Sequence, residues 1–326
     1  MKIGIAGAGA VGGWIGVSMA RAGHDISVLA RGATLAALQT SPWRLSTASG
    51  VLEAKVRASQ DAAILGVQDV LVITVKGPAL PQLAPTLAPM IGPETIIIPA
   101  MNGVPWWFLL PGGGDLPATR LKSVDPAGVI EAAIALPSLI GCVVHASAAV
   151  TAPGVVQHKN GRKLIFGEPR GGTTPRLTKV IESFRAAGFE AEASARIQND
   201  IWYKLWGNMT MNPISALTGA TCDRILDDAL VSGFVLAVMK EAAAIGARIG
   251  CEIRERGEDR NQVTRQLGAF KTSMLQDVEA GRPIELDALV AAPREIAQAL
   301  SIPTPNIDAL FGLSRVFGRV RGLYQA

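Results

Sequence analysis

The sequence predicts an α/β domain built on a parallel sheet, followed by a second domain made only of helices. Three observations carry this reading. A short apolar run at the N-terminus leads into a glycine-patterned loop, an apolar helix and a second apolar run, the β-α-β order of a parallel sheet. Further short apolar runs between glycines and prolines recur to about Ala193. Beyond Arg196 strand-like patterning ends and helical periodicity takes over. With 326 residues, two domains can each bury a core, and the expected division is 1–195 and 196–326.

Composition narrows the function classes. An apolar fraction of 49% with 18% charged residues describes a soluble globular protein. Cys142, Cys222 and Cys251 are odd in number and far apart, with no C-x-x-C pair, so neither a disulfide framework nor a zinc site is expected. A reducing, cytoplasmic setting fits. His24, His145 and His158 lack the spacing of a helical metal site, and no metal is expected. The net charge of +4 is spread without a Lys/Arg block, which suits small anionic ligands and not nucleic acid. Lys2 and the apolar run Ile3 to Ala20 imitate a secretory signal. Glycines at 4, 7, 9, 12, 13 and 16 make that run a poor hydrophobic helix core, however, and a phosphate-binding turn explains their spacing better. No membrane partner is expected.

Taken in order, Lys2 to Ala6 reads as a buried strand entering G-A-G-A-V-G at Gly7 to Gly12. In such a loop Gly7 permits the tight turn, Gly9 lets backbone N–H groups approach a pyrophosphate, and Gly12 lets the next helix pack on the strand. The helix runs from Val11 to Ala22 and a second strand from His24 to Ala30, which completes a Rossmann-type dinucleotide-binding unit. Gly7, Gly9, Ala10, Val11 and Gly12 are therefore candidate cofactor contacts. An NAD site would place Asp or Glu at the end of the second strand, whereas here Ala30-Arg31 stands there. Arg31 can fork onto a 2′-phosphate, so NADPH is the expected cofactor, an exposed arginine without a role being the alternative.

Asp69 to Val75 and Glu94 to Ile98 read as further buried strands, separated by prolines at 78, 81, 85, 89 and 93 that imply an interrupted helix. Lys76 and Asn102 follow these two strands, at the carboxyl ends where open α/β sheets collect ligands. Asn102 with Gly103 can equally be a plain turn. V-I-E-A-A-I at 129–134, C-V-V-H-A-S-A-A-V at 142–150 and K-L-I-F-G-E-P at 163–169 read as strands, and Thr178 to Ala187 as an amphipathic helix.

The helical part opens with D-I-W-Y-K-L-W-G-N-M-T-M-N-P, Asp200 to Pro213. Helical geometry puts Lys204, Asn208 and Asn212 on one stripe, while Ile201, Trp202, Tyr203, Leu205, Trp206, Met209 and Met211 make the remainder mostly large and apolar. A polar line on a buried helix needs something polar opposite it, and a substrate qualifies. An ordinary solvent-facing stripe is the alternative. Ala229 to Ile249, Arg260 to Glu279, Leu286 to Leu300 and Ile307 to Gly318 follow with helical periodicity. Ser273 and Asp277 stand four apart, and Glu285 follows. Within reach of Lys204, a buried Glu285 makes an acid/base pair; otherwise it is a surface residue.

In combination, G-A-G-A-V-G, Arg31, V-K at 75–76, N-G at 102–103, K-x-x-x-N-x-x-x-N-P at 204–213, S-M-L-Q-D at 273–277 and E-L-D at 285–287 resemble the ketopantoate reductase family. The likeness runs from residue 1 to about 290, with the motifs in family order. It implies a Rossmann-type NADPH domain followed by a helical domain like the C-terminal part of 6-phosphogluconate dehydrogenase, and 2-dehydropantoate 2-reductase activity in pantothenate synthesis. It further implies that Lys204 is the general acid, that Glu285 holds the substrate, and that Asn208, Asn212 and Ser273 hydrogen-bond its carboxylate and hydroxyl ends. Lys76 and Asn102 would then lie between nicotinamide and substrate. The chain departs from the family where Val290-Ala291 replaces an Asn-Gly, and where a substrate-side asparagine falls on Cys222.

These departures keep a different 2-oxo acid open as substrate. An opine or 3-hydroxyacid dehydrogenase shares the domain order, but the latter is expected to use a histidine, and the helical part has none. A non-catalytic NADPH-binding regulator has no need of both Lys204 and Glu285. The expected partner is a small 2-oxo acid bound by a monomer or homodimer. The tail from Phe311, with Arg315, Arg319 and Arg321, reads as either a solvated face or an interface.

Overall fold

In the computed structural model, which describes residues 1–325, the chain forms two compact units. The first comprises Met1–Met101 and Val129–Ile197; the second comprises Asn102–Gly128 and the chain from Gln198 on. Placement of residues 102–128 in the second unit differs from the linear division expected of the sequence. The reason lies in that segment's hydrogen bonds: the Val104 N–H donates to the Ala288 carbonyl, and the Lys122 and Ser123 amides donate to the Glu295 carboxylate.

The strands of the first unit are β1 (Lys2–Ala6), β2 (Asp25–Leu29), β3 (Trp43–Thr47), β4 (Gly50–Ala54), β5 (Arg57–Ser59), β6 (Val70–Ile73), β7 (Ile96–Pro99), β8 (Gly141–Ala152), β9 (Val155–Gly167) and β10 (Glu190–Ala193). Its helices are α1 (Ala10–Arg21), α2 (Gly32–Thr40), α3 (Ala62–Leu65), α4 (Leu80–Leu83), α5 (Val129–Ala133) and α6 (Pro175–Ala186). One sheet has the order β5-β2-β1-β6-β7 and every pairing in it is parallel. β1 lies at its middle, in register with Asp25–Leu29 on one side and Val70–Ile73 on the other. Burial on both faces explains why β1 and β6 read as unbroken apolar runs.

A second sheet runs β10-β9-β3-β4, with β8 antiparallel on β9. Its hairpin β3–β4 has no sequence signal because most of β4 is exposed and carries no alternation. Helix α1 packs against this sheet too. A Cβ on Gly13 or Gly16 would strike Val156 or the Trp43 indole at 2.4 or 2.5 Å, so these two glycines seat β9 and β3 and have no part in the phosphate turn. The segment V-I-E-A-A-I is helix α5, not a strand: short apolar runs do not distinguish the two, and its central alanines favour helix. The prolines do interrupt α4, which continues as the 3₁₀ stretch Ala84–Met90.

From Gln198 on, every regular element among the described residues is helical. These are α7 (Ile197–Thr218), α8 (Cys222–Asp227), α9 (Ala229–Arg248), α10 (Gly257–Arg265), α11 (Ser273–Glu279), a π-helical turn Asp287–Ala291, α12 (Ala292–Ala299) and α13 (Pro305–Val320). The expected helix over Arg260 to Glu279 is two helices. Gly268, at φ +63°, ends the first, and the Thr272 hydroxyl caps the second by accepting from the Leu275 N–H. α9 is long and apolar enough to cross a membrane by length and composition alone. Within the second unit its carbonyls at Met239 and Ala242 accept from the indoles of Trp206 and Trp202, so α7 docks on it.

Candidate active site

The glycine loop joins β1 to α1. Gly7, at φ +110°, donates its N–H to the Leu29 carbonyl, and its own carbonyl accepts from the Thr74 hydroxyl at 2.6 Å. A Cβ on Gly12 would lie 2.1 Å from that same carbonyl and 2.6 Å from Thr74 Oγ1, so packing alone demands glycine there. Gly9 differs: an added Cβ would meet nothing within 4 Å. The space above Gly9 is open, at the N-terminus of a helix with no side-chain cap, where the amides of Ala10 and Val11 begin α1. Such a helix end carries unsatisfied N–H groups and the positive end of the macrodipole, which fits a pyrophosphate. Arg31 is exposed just past β2, at the start of α2, and no carboxylate accompanies it at that strand end. These residues therefore fit a 2′-phosphorylated dinucleotide. Lys76 is half-buried beyond β6, at the start of the 3₁₀ turn Gly77–Ala79.

In the second unit, α7 presents the polar stripe. Trp202 and Trp206 are buried toward α9, Asn212 is buried, and Lys204 and Asn208 are half-buried. The Lys204 ammonium donates to Asn102 Oδ1 at 2.7 Å, across 102 residues of sequence. Deeper along the stripe, Asn212 Nδ2 lies 3.5 Å from Ser273 Oγ, at the exposed first residue of α11. Asp277 is turned away from such a role, being buried and bonded by Arg282 Nε at 3.1 Å. On the flank of α7, the Tyr203 hydroxyl donates to Glu255 at 2.5 Å beneath the Arg260 guanidinium, and burial and this carboxylate push its pKa up.

Asn102 is positioned by its neighbours. Gly103 has φ +80°, and a Cβ there would lie 2.6 Å from the Ala288 carbonyl oxygen, so the loop rests on the π-helical turn with no room between. Val104 N–H donates to that oxygen at 2.8 Å. Glu285 is half-buried just before the turn, between buried Ile284 and Leu286. Asp287 accepts from the Tyr324 hydroxyl at 2.6 Å; burial raises the affinity of Asp287 for its proton, and burial and the carboxylate together hold the Tyr324 phenol protonated. Cys222 opens α8, buried, with its thiol pushed up to about 11 by burial and by Asp223.

Residues 3–111 match the family described as ketopantoate reductase PanE/ApbA, and residues 196–317 match ketopantoate reductase PanE/ApbA C terminal. A relative from Mesorhizobium japonicum, described as 2-dehydropantoate 2-reductase, is 42% identical over 99% of this chain and 100% of its own length. The chain belongs to the ketopantoate reductase family. Among solved members, a candidate ketopantoate reductase from Ralstonia solanacearum MolK2 is 58% identical, with a TM-score of 0.95 and 99% of each chain covered. The fold itself reaches further. A D-mandelate dehydrogenase with NADH and anilino(oxo)acetate shares it at a TM-score of 0.85 and 18% identity, over 99% of this chain and 100% of the other. Ketopantoate reductases are thus one occupant of a Rossmann-type sheet joined to a helical unit of the 6-phosphogluconate dehydrogenase C-terminal type.

Of the residues singled out from the sequence, the structure joins Lys204 to Asn102 and brings Asn212 near Ser273. Asn208 stands between them on the stripe, and Glu285 two residues before the turn against which the Asn102 loop packs. Gly7, Gly9, Ala10, Val11, Gly12, Arg31 and Lys76 all belong to the first unit. Sequence reasoning passed over Thr74 and Tyr324, and gave Asp287, the last residue of E-L-D, no role. Thr74 sits inside an apolar strand pattern where a lone hydroxyl has no signal, and Tyr324 finds Asp287 only through the tertiary fold.

Proposed function

We propose that this chain is an NADPH-dependent 2-dehydropantoate 2-reductase, forming pantoate, in which Lys204 is the general acid. The observation that carries the reading is the Lys204 ammonium, held at 2.7 Å by Asn102 on the polar stripe of an otherwise buried helix. NADPH, when bound, supplies the hydride that reduces the C2 ketone. The Gly7–Gly12 loop and the amides of Ala10 and Val11 hold its pyrophosphate, and Arg31 its 2′-phosphate. As the carbonyl becomes an alkoxide, Lys204 stabilises the negative charge and transfers its proton to that oxygen. The donor is reset from solvent. Asn102 aims the ammonium, and Glu285, Asn208, Asn212 and Ser273 bind the hydroxyl and carboxylate ends of the substrate. Lys76, at the carboxyl end of β6 in the first unit, contributes to cofactor and substrate binding. The enzyme is placed in the cytoplasm, as a monomer or homodimer working on a small molecule, without a membrane or nucleic-acid partner.

A second reading, reduction of a different 2-oxo acid, is favoured by one feature: Cys222 and Val290 are buried apolar or protonated groups and offer a substrate no carboxamide. The test follows NADPH oxidation with 2-dehydropantoate and a panel of branched and unbranched 2-oxo acids, for the natural protein and Lys204→Ala. The expected result is preference for 2-dehydropantoate, with kcat lowered about 10²–10⁴-fold in Lys204→Ala while NADPH affinity is kept. Undiminished turnover in that variant removes Lys204 from the mechanism, and preference for another acid selects the second reading.

A further inference from the structure

The last described residues form a short strap that packs back on the second unit beside Glu285. Beyond α13 the amides of Leu323 and Tyr324 both donate to the Gly318 carbonyl, at 2.8 and 3.2 Å. Gly318 has no Cβ to hold the strap off: one would fall 2.6 Å from Tyr324 Cβ and 3.1 Å from Ile284 Cδ1. Two hydrogen bonds then leave the strap for a single short segment. The Leu323 carbonyl accepts from the Ile284 N–H at 3.0 Å, and the Tyr324 hydroxyl donates to Asp287 Oδ1 at 2.6 Å. Residues 284 and 287 bracket Glu285. The next residue, Ala288, accepts from Val104 at 2.8 Å and abuts Gly103, and the neighbouring Asn102 holds Lys204.

We infer that Tyr324 is a positioning residue for the reaction: through Asp287 it fixes the turn that presents Glu285 and, through Ala288, the loop by which Asn102 aims Lys204. The inference rests on the reductase reading above for its kinetic consequence. The physical case is that Asp287 is half-buried among apolar neighbours, where a carboxylate is costly without a donor, and the Tyr324 hydroxyl supplies one at 2.6 Å. With that bond in place, the π-helical turn has one arrangement and its carbonyl at 288 one direction. Without it, Asp287 must find water or a proton, and the turn is released at one end. Both Leu323 and Tyr324 are buried, so the strap is part of the packing and not a solvated tail.

The test compares Tyr324→Phe, Asp287→Asn, Asp287→Ala and the double variant Tyr324→Phe/Asp287→Ala. Phenylalanine keeps the ring and removes only the donor, whereas asparagine keeps an oxygen acceptor for the phenol. For Tyr324→Phe, kcat/KM for 2-dehydropantoate is expected to fall about threefold to tenfold, the worth of one net hydrogen bond. NADPH affinity should stay unchanged, and hydrogen exchange at the Val104 amide should accelerate. Asp287→Asn should retain most of the activity. The double variant should be no worse than Asp287→Ala, since the two side chains act as one unit. Tyr324→Phe with unaltered kcat/KM and Val104 exchange overturns the inference, and so does a lowered melting temperature accompanied by intact kinetics. Equal loss of NADPH and substrate affinity also overturns it. If the natural protein reduces no 2-oxo acid, the reductase reading fails by itself, and Val104 exchange in Tyr324→Phe still decides whether the strap holds the Asn102 loop.

Discussion

The glycine loop of the first unit and the polar stripe of the second are both proposed to hold a small ligand, yet they are assembled in opposite ways. The loop is local. Gly7 and Gly12 constrain each other within six consecutive residues, with Thr74 as an outside clamp. The stripe is distributed: Lys204 depends on Asn102, Asn212 approaches Ser273, and the Asn102 loop rests on Ala288. A local device survives as a motif because backbone geometry spells it out, whereas a distributed one needs several segments to arrive at the same place.

The sharpest way to break this comparison is to insert one methyl group into each region. Gly12→Ala and Gly103→Ala each drive a Cβ into a backbone oxygen, at 2.1 Å from Gly7 and 2.6 Å from Ala288. Overpacking of this kind costs about 1–3 kcal/mol, and the positive φ at Gly103 adds about 1–3 kcal/mol there. Denaturant unfolding should show both losses, larger for Gly103→Ala. Ligand effects should separate: NADPH affinity lost in Gly12→Ala, and turnover lost with NADPH affinity kept in Gly103→Ala. Loss of NADPH affinity in Gly103→Ala would mean that the two regions are not independent.

A smaller effect sharpens the contrast inside the loop itself. Gly9→Ala has open space and an extended backbone, φ −81° and ψ −163°, that any residue adopts. Stability should therefore hold or rise by up to about 1 kcal/mol, because alanine restricts the unfolded chain. NADPH affinity should nevertheless fall about tenfold or more, as a methyl keeps the pyrophosphate from the amides of α1 and forfeits charge-assisted hydrogen bonds. Calorimetric titration beside thermal melting checks both halves, and unchanged affinity would strip Gly9 of its role. The smallest effect is expected at Arg31, where the side chain is exposed and solvent screens its charge. Arg31→Ala should weaken NADPH binding about threefold to tenfold and leave NADH binding as it was, so that equal weakening of both would assign the arginine to something other than the 2′-phosphate.

Much of this was legible in the chain. The alternation β1, α1, β2 follows from apolar runs and glycine spacing, and the stripe on α7 from a spacing of four residues, since both are consequences of backbone geometry within a few turns. The absence of strand patterning beyond Arg196 likewise foretold a helical unit. Cofactor choice rested on one residue, Arg31, together with the missing acid. Other features depended on distance along the chain. Residues 102–128 join the second unit because Glu295 and Ala288 satisfy their amides. Gly13 and Gly16 look like phosphate-loop glycines until Trp43 and Val156 are seen packed on them.

By itself, then, the sequence determined the order of sheet and helices, the Gly7–Gly12 turn and the face shared by Lys204, Asn208 and Asn212, because each depends on dihedral angles and side-chain direction over a few residues. Tertiary structure alone decided that residues 102–128 join the second unit, that Lys204 meets Asn102 and that Asp287 meets Tyr324. Those outcomes turn on which buried polar groups find partners when distant segments close on one another, and no local pattern encodes that choice.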